Sequence, residues 1–358
     1  MKNIYAFLCV SIMLISCLKE DELKNPFVTF KPKWLNDGWD ISDPLQENVD
    51  PSALEKIFRD FHADEETWQV RSLLVFRNGK LIAESYTKDT NDIKTPRAIW
   101  SATKQVVGIL TGIAIERNLI QGVQDPVSLY LPQMKNHSDK QNILIEDLLT
   151  MKSGISYSND GLSGQTDDIL RQKPDSLVEF ILSRPLQDEP GFVCSYKDCD
   201  PQLVAAVLEH QCNSPLPEWA GNVLFNPLGI ENLEWDRYRD GTTLGGFGIL
   251  TTPRELAKFG QVVLDSGKWK GMTIVSKEWI SQMTAERIPD LYTYQFGYLW
   301  WREKTRNAIF MSGHGGQFAI LIPEKRLLIV MTAEVNTQGD FQFREPFDWV
   351  DRIVSICH

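Results

Sequence analysis

The chain has 358 residues, of which 42% are hydrophobic and 24% charged, a composition typical of a globular protein with a substantial core. Lys and Arg number 37 against 48 Asp and Glu, so the formal net charge is -11. This acidic balance argues against a nucleic-acid-binding protein, which needs a basic face, and the scattered histidines predict neither a metal site nor another cofactor.

The first 16 residues have the pattern of an export signal. One charge, Lys2, precedes an apolar stretch over residues 4–15 that is too short to span a membrane and fits a signal peptide. Leu14–Cys17 resembles the lipobox of bacterial lipoproteins. This resemblance implies a lipid on Cys17 and an exported protein anchored in the bacterial cell envelope, on the periplasmic or surface face of the outer membrane. A plain secretory signal with an incidental Cys17 is the alternative.

The predicted elements after residue 50 change in character along the chain. A short helix is followed by two strands around Asn78–Gly79, a strong hairpin signal, and then by a helix that starts at Ser101. Residues 120–275 carry short helical patterns broken by Pro and Gly, and residues 295–333 return to strands. This order predicts an α/β (α+β) fold, with a largely antiparallel sheet flanked by helices plus a mostly helical lobe. The predicted elements are helices Ala53–Phe61, Ala102–Asn118, Ile145–Met151, Ser176–Ser183, Pro201–Gln211, Pro253–Ser266 and Asp348–Cys357, and strands within Arg71–Tyr86, Tyr294–Trp301, Ala308–Met311, Phe318–Leu321 and Leu327–Thr332.

After residue 50, the pattern Ser-x-x-Lys occurs twice. At Ser101–Lys104 it lies at a predicted helix start, where residues three apart share a face and the hydroxyl and amine can touch. A serine becomes a nucleophile when a base takes its proton, and a lysine can serve as that base. At Ser85–Lys88 the pattern falls at the end of a predicted strand, where residues three apart point to opposite faces. A capping serine followed by a surface lysine is the simpler interpretation of Ser101 alone.

The surroundings of Ser101 resemble the serine β-lactamase and penicillin-binding-protein superfamily, above all its class C-like esterases, D-amino-acid peptidases and 6-aminohexanoate-dimer hydrolases. The resemblance spans roughly residues 50–358 and rests on ordered landmarks, which are more specific than one tetrapeptide. It implies the β-lactamase/transpeptidase-like fold with Ser101 as nucleophile. The landmarks are the hairpin, Ile99–Lys104, Asp125–Pro132, Ile145–Ile155, Gly245–Phe259, Phe296–Trp301 and Gly313–Phe318.

The resemblance also implies a catalytic tyrosine from a Tyr-x-Asn motif, for which two candidates compete. Tyr157–Asn159 is a literal match, but Tyr196 follows a Pro-Gly turn and precedes an apolar helix, as in the family. We therefore assign the role to Tyr196, with Tyr157 as a loop residue and a substrate-facing role for it open. Asp198 then stands where the family usually has Asn, so it either pairs with Lys104 or Lys197 or reflects a different substrate polarity.

The third family element corresponds to Gly313–Gln317, on the strand that lines the cleft. By analogy, the backbone N–H groups of Ser101 and Gln317 form the oxyanion hole, and Gly316 lets the backbone approach substrate. His314 replaces the lysine of other branches; a neutral histidine holds a substrate carboxylate less firmly, which favours esters, amides or peptides. A histidine in a tight turn is the simpler alternative. Of Trp300 and Trp301, at most one faces the cleft, because neighbouring strand residues face opposite sides.

These observations predict a serine hydrolase that acts on a small-molecule ester, amide or peptide through an acyl-enzyme. The alternatives are a β-lactamase or DD-peptidase, and a catalytically silent binding protein. Two departures from the family pattern motivate the last of these: Asp198 in place of Asn, and Met151–Lys152 where the family has His-Thr. We divide the chain into a signal peptide (1–16), a lipid-anchored tether and lead-in (17–50) and a hydrolase domain (51–358). That domain comprises an α/β lobe, about 51–128 and 276–358, and a helical lobe, about 129–275.

Four cysteines remain in the predicted hydrolase domain. An exported protein can form disulfides, and four cysteines allow three pairings that the sequence does not separate. Unpaired buried thiols are the alternative. The four are Cys194, Cys199, Cys212 and Cys357.

Overall fold

The computed structural model describes residues 29–64, 69–159, 167–334 and 346–358. The predicted signal peptide, the lipidation site Cys17 and the first part of the tether lie outside these residues and stay predictions. Within the described ranges, no helix combines the length and the apolar character needed to cross a bilayer.

The described residues form 14 strands, and nine of them build one sheet. In chain order the strands are β1 (Asp40–Ile41), β2 (Val70–Arg77), β3 (Lys80–Tyr86), β4 (Arg97–Ala98), β5 (Leu233–Trp235), β6 (Ile249–Thr251), β7 (Lys268–Trp269), β8 (Met272–Thr273), β9 (Ile288–Leu291), β10 (Tyr294–Phe296), β11 (Trp301–Glu303), β12 (Ala308–Gly313), β13 (Gln317–Ile322) and β14 (Leu327–Ala333). The large sheet has the order β1-β3-β2-β14-β13-β12-β11-β10-β9. All neighbours in it are antiparallel except β1 and β3.

Helices pack on this sheet and also form the region between the two groups of sheet strands. In the described part of the chain they are α1 (Pro51–Ala63), α2 (Thr103–Glu116), α3 (Ile145–Leu149), α4 (Asp168–Gln172), α5 (Leu177–Ser183), α6 (Cys199–Cys212), α7 (Leu216–Ala220), α8 (Pro253–Leu264), α9 (Lys277–Met283) and α10 (Phe347–Ser355). The predicted class, a mixed and largely antiparallel sheet flanked by helices, is confirmed.

Local chemistry accounts for the central strands. Asn78 and Gly79 have φ values of +53° and +78°, as a two-residue hairpin turn between β2 and β3 requires. Every residue of β13 is buried, which needs cover on both faces of the sheet and explains the continuous apolar run. Helix α8 supplies cover, and at Gly260 it approaches the side chains of Ala319 and Leu328 closely.

Two details differ from the sequence-based expectations. The predicted single strand Tyr294–Trp301 is wrong: β10 and β11 are separate antiparallel strands joined by residues 297–300. Leu299 adopts φ +61° there, and a Cβ on Gly297 would lie 2.4 Å from a backbone carbonyl oxygen, so this segment forms a turn. Helix α8, which the predicted division at residue 275 places in the helical lobe, packs on β13 and β14.

Candidate active site

Ser101 lies in a short 3-10 turn, Trp100–Ala102, that leads directly into α2. Trp100 has φ +51°, in the left-handed region that non-glycine residues rarely occupy. Strand β12 approaches so closely that a Cβ on Gly313 would lie 2.0 Å from the carbonyl oxygen of Ile99. Backbone packing therefore holds the turn in place, while Ser101 itself is only half-buried.

Lys104 occupies the first turn of α2 and is fully buried, with 0% of its surface exposed. Its ammonium donates a hydrogen bond to Ser101 Oγ at 2.8 Å and another to the carbonyl oxygen of Gly246 at 2.6 Å. It also forms an ion pair with the Asp198 carboxylate. The three-residue spacing thus brings the hydroxyl and the amine into contact.

The charge state of Lys104 follows from two opposing effects. Burial lowers the pKa of Lys104, but the negative charge of Asp198, with a contribution from Tyr196, outweighs burial and raises the pKa overall. Lys104 is therefore an ammonium in the resting site. In that state it is a hydrogen-bond donor to Ser101, and it has to lose a proton before it can act as a base.

Asp198 reaches Lys104 from the residue just before α6. The backbone N–H of Asp198 donates to the side-chain oxygen of Asn159 at 2.8 Å. Gly246 packs so closely that a Cβ on it would lie 2.9 Å from the Cβ of Asp198. Of the two partners that the sequence left open, the structure pairs Asp198 with Lys104. Lys197 instead donates to a backbone carbonyl at 3.0 Å.

Tyr196 lies beside the same ammonium. The Nζ of Lys104 is 5.1 Å from the centroid of the Tyr196 ring. On its other side the ring packs at 5.3 Å from Trp301 and 6.3 Å from Phe296, centroid to centroid. The structure therefore brings Ser101, Lys104 and Tyr196 together, although 95 residues separate the serine from the tyrosine in the chain.

The competing candidate, Tyr157, has a different environment. Its hydroxyl donates to the carboxylate of Asp167 at 2.7 Å and accepts from the backbone N–H of Ile169 at 3.2 Å. Burial, with the charge of Asp167, raises its pKa far above the usual range. The hydrogen bonds of Tyr157 therefore connect its loop to the start of α4. The residue of the Tyr157–Asn159 motif that contacts the site is Asn159, which accepts a hydrogen bond from the backbone N–H of Asp198.

The predicted oxyanion strand borders the serine turn. The turn Trp100–Ala102 packs against β12 and the start of β13. The side-chain amide of Gln317 donates a hydrogen bond to the carbonyl oxygen of Ala333 at 2.8 Å and accepts one from the Ala333 N–H at 3.2 Å. These two bonds hold Gln317, the first residue of β13, in place. Gly316 has φ +91°, a conformation that glycine adopts readily.

His314 lies in the turn between β12 and β13, next to the serine turn. Its ring meets that of Trp100 edge-on, with 5.7 Å between centroids. Burial lowers the pKa of His314, so the imidazole is neutral at pH 7. The position that carries a lysine in other branches therefore adds no positive charge here.

Trp300 and Trp301 lie in different surroundings, as expected, but not because they are neighbours on one strand. Trp300 is fully buried, and its indole N–H donates to the backbone of Gln105 at 3.2 Å, so it belongs to the core. Trp301 packs against Tyr196. They diverge because Trp300 belongs to the turn and Trp301 begins β11.

The sequence reasoning missed two groups at the site, Gly246 and Asn159. Gly245–Phe259 is a landmark of the family resemblance, but its sequence does not indicate that the Gly246 carbonyl accepts a hydrogen bond from Lys104. A Cβ on Gly245 would lie 2.5 Å from the carbonyl oxygen of Pro201, so this close approach to α6 requires glycine.

All four candidate cysteines, Cys194, Cys199, Cys212 and Cys357, are free thiols. In the described ranges no group of three or more His, Cys, Asp or Glu side chains is placed to hold a metal ion.

Comparisons with known proteins identify the family and the fold. A "Putative penicillin-binding protein PbpX" of Bacillus subtilis is 27% identical over 44% of this chain, but the match spans only 39% of that protein. A "Putative D-alanyl-D-alanine carboxypeptidase" of Salmonella agona is 21% identical over 73% of this chain and 71% of its own length. The solved structure of a "Putative 6-aminohexanoate-dimer hydrolase" from Bacillus anthracis has a TM-score of 0.70 at 17% identity. It covers 94% of this chain and 88% of its own, and so shares the fold.

The family model named Beta-lactamase matches residues 63–350. That range covers most of the chain and contains Ser101, Lys104, Tyr196 and the β12–β13 turn. The chain therefore belongs to the beta-lactamase family of serine hydrolases.

Proposed function

We propose that this protein hydrolyses an ester, amide or peptide carbonyl through an acyl-enzyme on Ser101. The observation that carries the proposal is the buried Lys104 ammonium, 2.8 Å from Ser101 Oγ and paired with Asp198 on another side. Burying an ion pair costs free energy unless its polar atoms are well satisfied. Because this buried ion pair contacts a partly exposed serine hydroxyl, a catalytic role explains it better than a structural role in packing.

The proton path follows from the charge state of Lys104. As Ser101 attacks, Lys104 passes one proton to Asp198 and takes the proton of the Ser101 hydroxyl, so the site keeps an ammonium beside the new oxyanion. When the intermediate collapses, the phenol of Tyr196 donates its proton to the leaving group. Lys104 then reprotonates Tyr196 and recovers its proton from Asp198. Water repeats these steps to release the acyl group.

The developing negative charge needs fixed donors. We assign them to the backbone N–H groups of Ser101 and Gln317, because the serine turn packs against the start of β13 and the Gln317 side chain is held by Ala333. One such donor contributes about 3 kcal/mol to transition-state stabilisation.

The charge balance of the site favours uncharged substrates. The ammonium beside Ser101 is compensated by Asp198, and burial keeps His314 neutral. Neither group therefore offers a free positive charge to a substrate carboxylate, which β-lactams and peptides ending in D-alanine carry. A relative named as a 6-aminohexanoate-dimer hydrolase shares the fold, which is consistent with amide hydrolysis.

A DD-carboxypeptidase is the second candidate. It is favoured by the Salmonella relative of that name, which matches 73% of this chain. The two activities differ in the charge of the substrate next to the scissile bond, and this difference makes them separable by assay.

The experiment is a kinetic panel on the wild type and Ser101→Ala. It uses p-nitrophenyl acetate, an N-acyl amino amide, nitrocefin and a peptide ending in D-Ala-D-Ala. We expect Ser101-dependent turnover of the first two substrates. Turnover of only the last two would favour the second candidate, and tight ligand binding with no turnover of any substrate would favour a silent binding protein.

We also propose that the protein is exported and lipid-anchored through Cys17. The support is the sequence pattern of residues 1–17 alone. Metabolic labelling with an alkyne-bearing fatty acid tests it: the wild type takes up the label and Cys17→Ala does not. Equal labelling of both would contradict the proposal.

A further inference from the structure

An exposed aromatic side chain lies next to Tyr196. Tyr292 is 68% exposed, yet its ring meets that of Tyr196 at 6.4 Å between centroids and an interplanar angle of 67°. Phe192 and Val193 are 71% and 47% exposed and precede Tyr196 on the same segment. Four residues span about 14 Å at most, so the chain keeps Phe192 and Val193 within about that distance of Tyr196. We call Phe192, Val193 and Tyr292 the apolar rim.

The backbone that carries Tyr292 is strained. Tyr292 and Thr293 form the two-residue turn between β9 and β10, with φ values of +52° and +72°. Such turns favour Asn and Gly, since both central residues need positive φ, and an aromatic followed by a β-branched residue is unfavourable. The Asp290 carboxylate accepts from the Thr293 N–H at 3.1 Å, which helps to hold the turn. Strain of this kind clusters at functional sites, and here the strained residue contacts Tyr196.

The rim continues a series of rings that starts in the core. Phe310 stacks on Trp301 at 6.1 Å, Trp301 lies 5.3 Å from Tyr196, and Tyr196 meets Tyr292. The inner rings are buried, whereas Tyr292 presents its surface to solvent. Exposed apolar surface at the edge of a polar reaction centre is a typical feature of ligand sites.

We propose that the apolar rim binds an apolar leaving group, the alkyl or aromatic alcohol or amine of the substrate. The inference rests on the proposed function, in which Tyr196 gives its proton to the leaving group. A proton donor has to lie within hydrogen-bond reach of the atom it protonates. The surface that contacts Tyr196 is therefore on the leaving-group side of the scissile bond, and the acyl group lies on the other side.

The test keeps the acyl group constant and varies the alcohol. Ethyl, hexyl and benzyl acetate have alcohols of similar acidity, and a pH-stat follows their hydrolysis by the full chain. We expect kcat/KM for hexyl and benzyl acetate to exceed that for ethyl acetate by about tenfold or more. In Tyr292→Ala the ratio of kcat/KM for hexyl or benzyl acetate to that for ethyl acetate falls about fivefold, and Tyr292→Phe keeps this ratio because the ring remains. Phe192→Ser lowers the preference less.

Met272→Ala is the matched control, since Met272 is 47% exposed on the separate β7–β8 hairpin. The inference is overturned if Tyr292→Ala prefers hexyl and benzyl acetate over ethyl acetate as strongly as Met272→Ala does. It is also overturned if the wild type has no such preference while its hydrolysis of the esters still depends on Ser101. Failure of the proposed function looks different, because Ser101→Ala then matches the wild type on every ester.

Discussion

The two copies of Ser-x-x-Lys after residue 50 lie in opposite environments. Ser101 and Lys104 straddle the start of α2, and hydroxyl and ammonium meet at 2.8 Å. Ser85 lies within β3, is 4% exposed and pairs with His62 Nε2 at 2.7 Å, whereas Lys88 lies past the strand end with an exposed side chain. The same four-residue pattern thus gives a reactive arrangement only where the backbone is helical.

The comparison also separates two uses of a hydroxyl beside a nitrogen base. The Ser85–His62 pair has the partners of a nucleophile and its base, but the serine is buried in the sheet. At Ser101 the hydroxyl is half-buried, and the charge behind it is balanced by Asp198. Access and charge compensation, rather than residue type, distinguish the site from the structural pair.

The largest effect is expected at the two serines. Ser101→Ala removes the nucleophile and lowers kcat by about 10⁴-fold or more, whereas Ser85→Ala leaves kcat unchanged. Steady-state hydrolysis of an activated ester by both purified variants measures the difference. Equal activity of the two variants would contradict the assignment of Ser101.

The two lysines give the next contrast. Lys104→Met removes the proton carrier and lowers kcat by about 10²–10⁴-fold, whereas Lys88→Met has no effect. Lys104→Met also leaves the buried Asp198 uncompensated, which costs about 3–5 kcal/mol of stability. The double variant Lys104→Met/Asp198→Asn should recover much of this loss in urea denaturation. No recovery would show that the two side chains are not coupled in solution.

Asp198→Asn tests the charge balance directly. Without the carboxylate, only the smaller contribution of Tyr196 opposes the effect of burial, so the pKa of Lys104 falls and the ammonium loses its proton at lower pH. The limb of the pH profile of kcat/KM that reports Lys104 should move to lower pH by about one unit or more. As a control, Asp198→Glu keeps the charge and should keep the limb in place. A limb that does not move in Asp198→Asn would contradict the role of the ion pair.

The smallest effect is expected at the structural pair. Ser85→Ala removes a buried hydrogen bond and lowers the free energy of unfolding by about 1 kcal/mol.

Burial lowers the pKa of His62 below its usual 6.5, so below that pH the unfolded chain binds a proton that the folded chain does not. The stability from neutral His62 is therefore present above pH 6.5 and is lost on acidification. Denaturation of His62→Gln should show a weaker loss between pH 7 and 5, and an unchanged one would contradict this account.

Local patterns predicted what depends on local forces. The hairpin at Asn78–Gly79 follows from turn chemistry, and the contact of Ser101 with Lys104 follows from helical spacing. The one-strand prediction across residues 294–301 failed because the positive φ of Leu299 is imposed by packing of the turn. Short apolar runs do not reveal such a reversal.

Long-range contacts were beyond the reach of pattern reasoning. The Lys104 ammonium meets Asp198 and the Gly246 carbonyl, which come from segments far along the chain. Which of two lysines would pair with Asp198 depended on the approach of α6 to α2, and sequence spacing does not define that approach. The strained turn at Tyr292 was missed for the same reason, since its sequence carries none of the usual turn residues.

Covalent labelling tests the central claim most directly. The purified full chain is treated with a fluorophosphonate, and the modified residue is located by peptide mass spectrometry in the wild type, Ser101→Ala and Ser85→Ala. We predict one adduct on Ser101 in the wild type and in Ser85→Ala, and none in Ser101→Ala. An unmodified Ser101 in the wild type, or an equal yield of adduct in Ser101→Ala, would contradict the account.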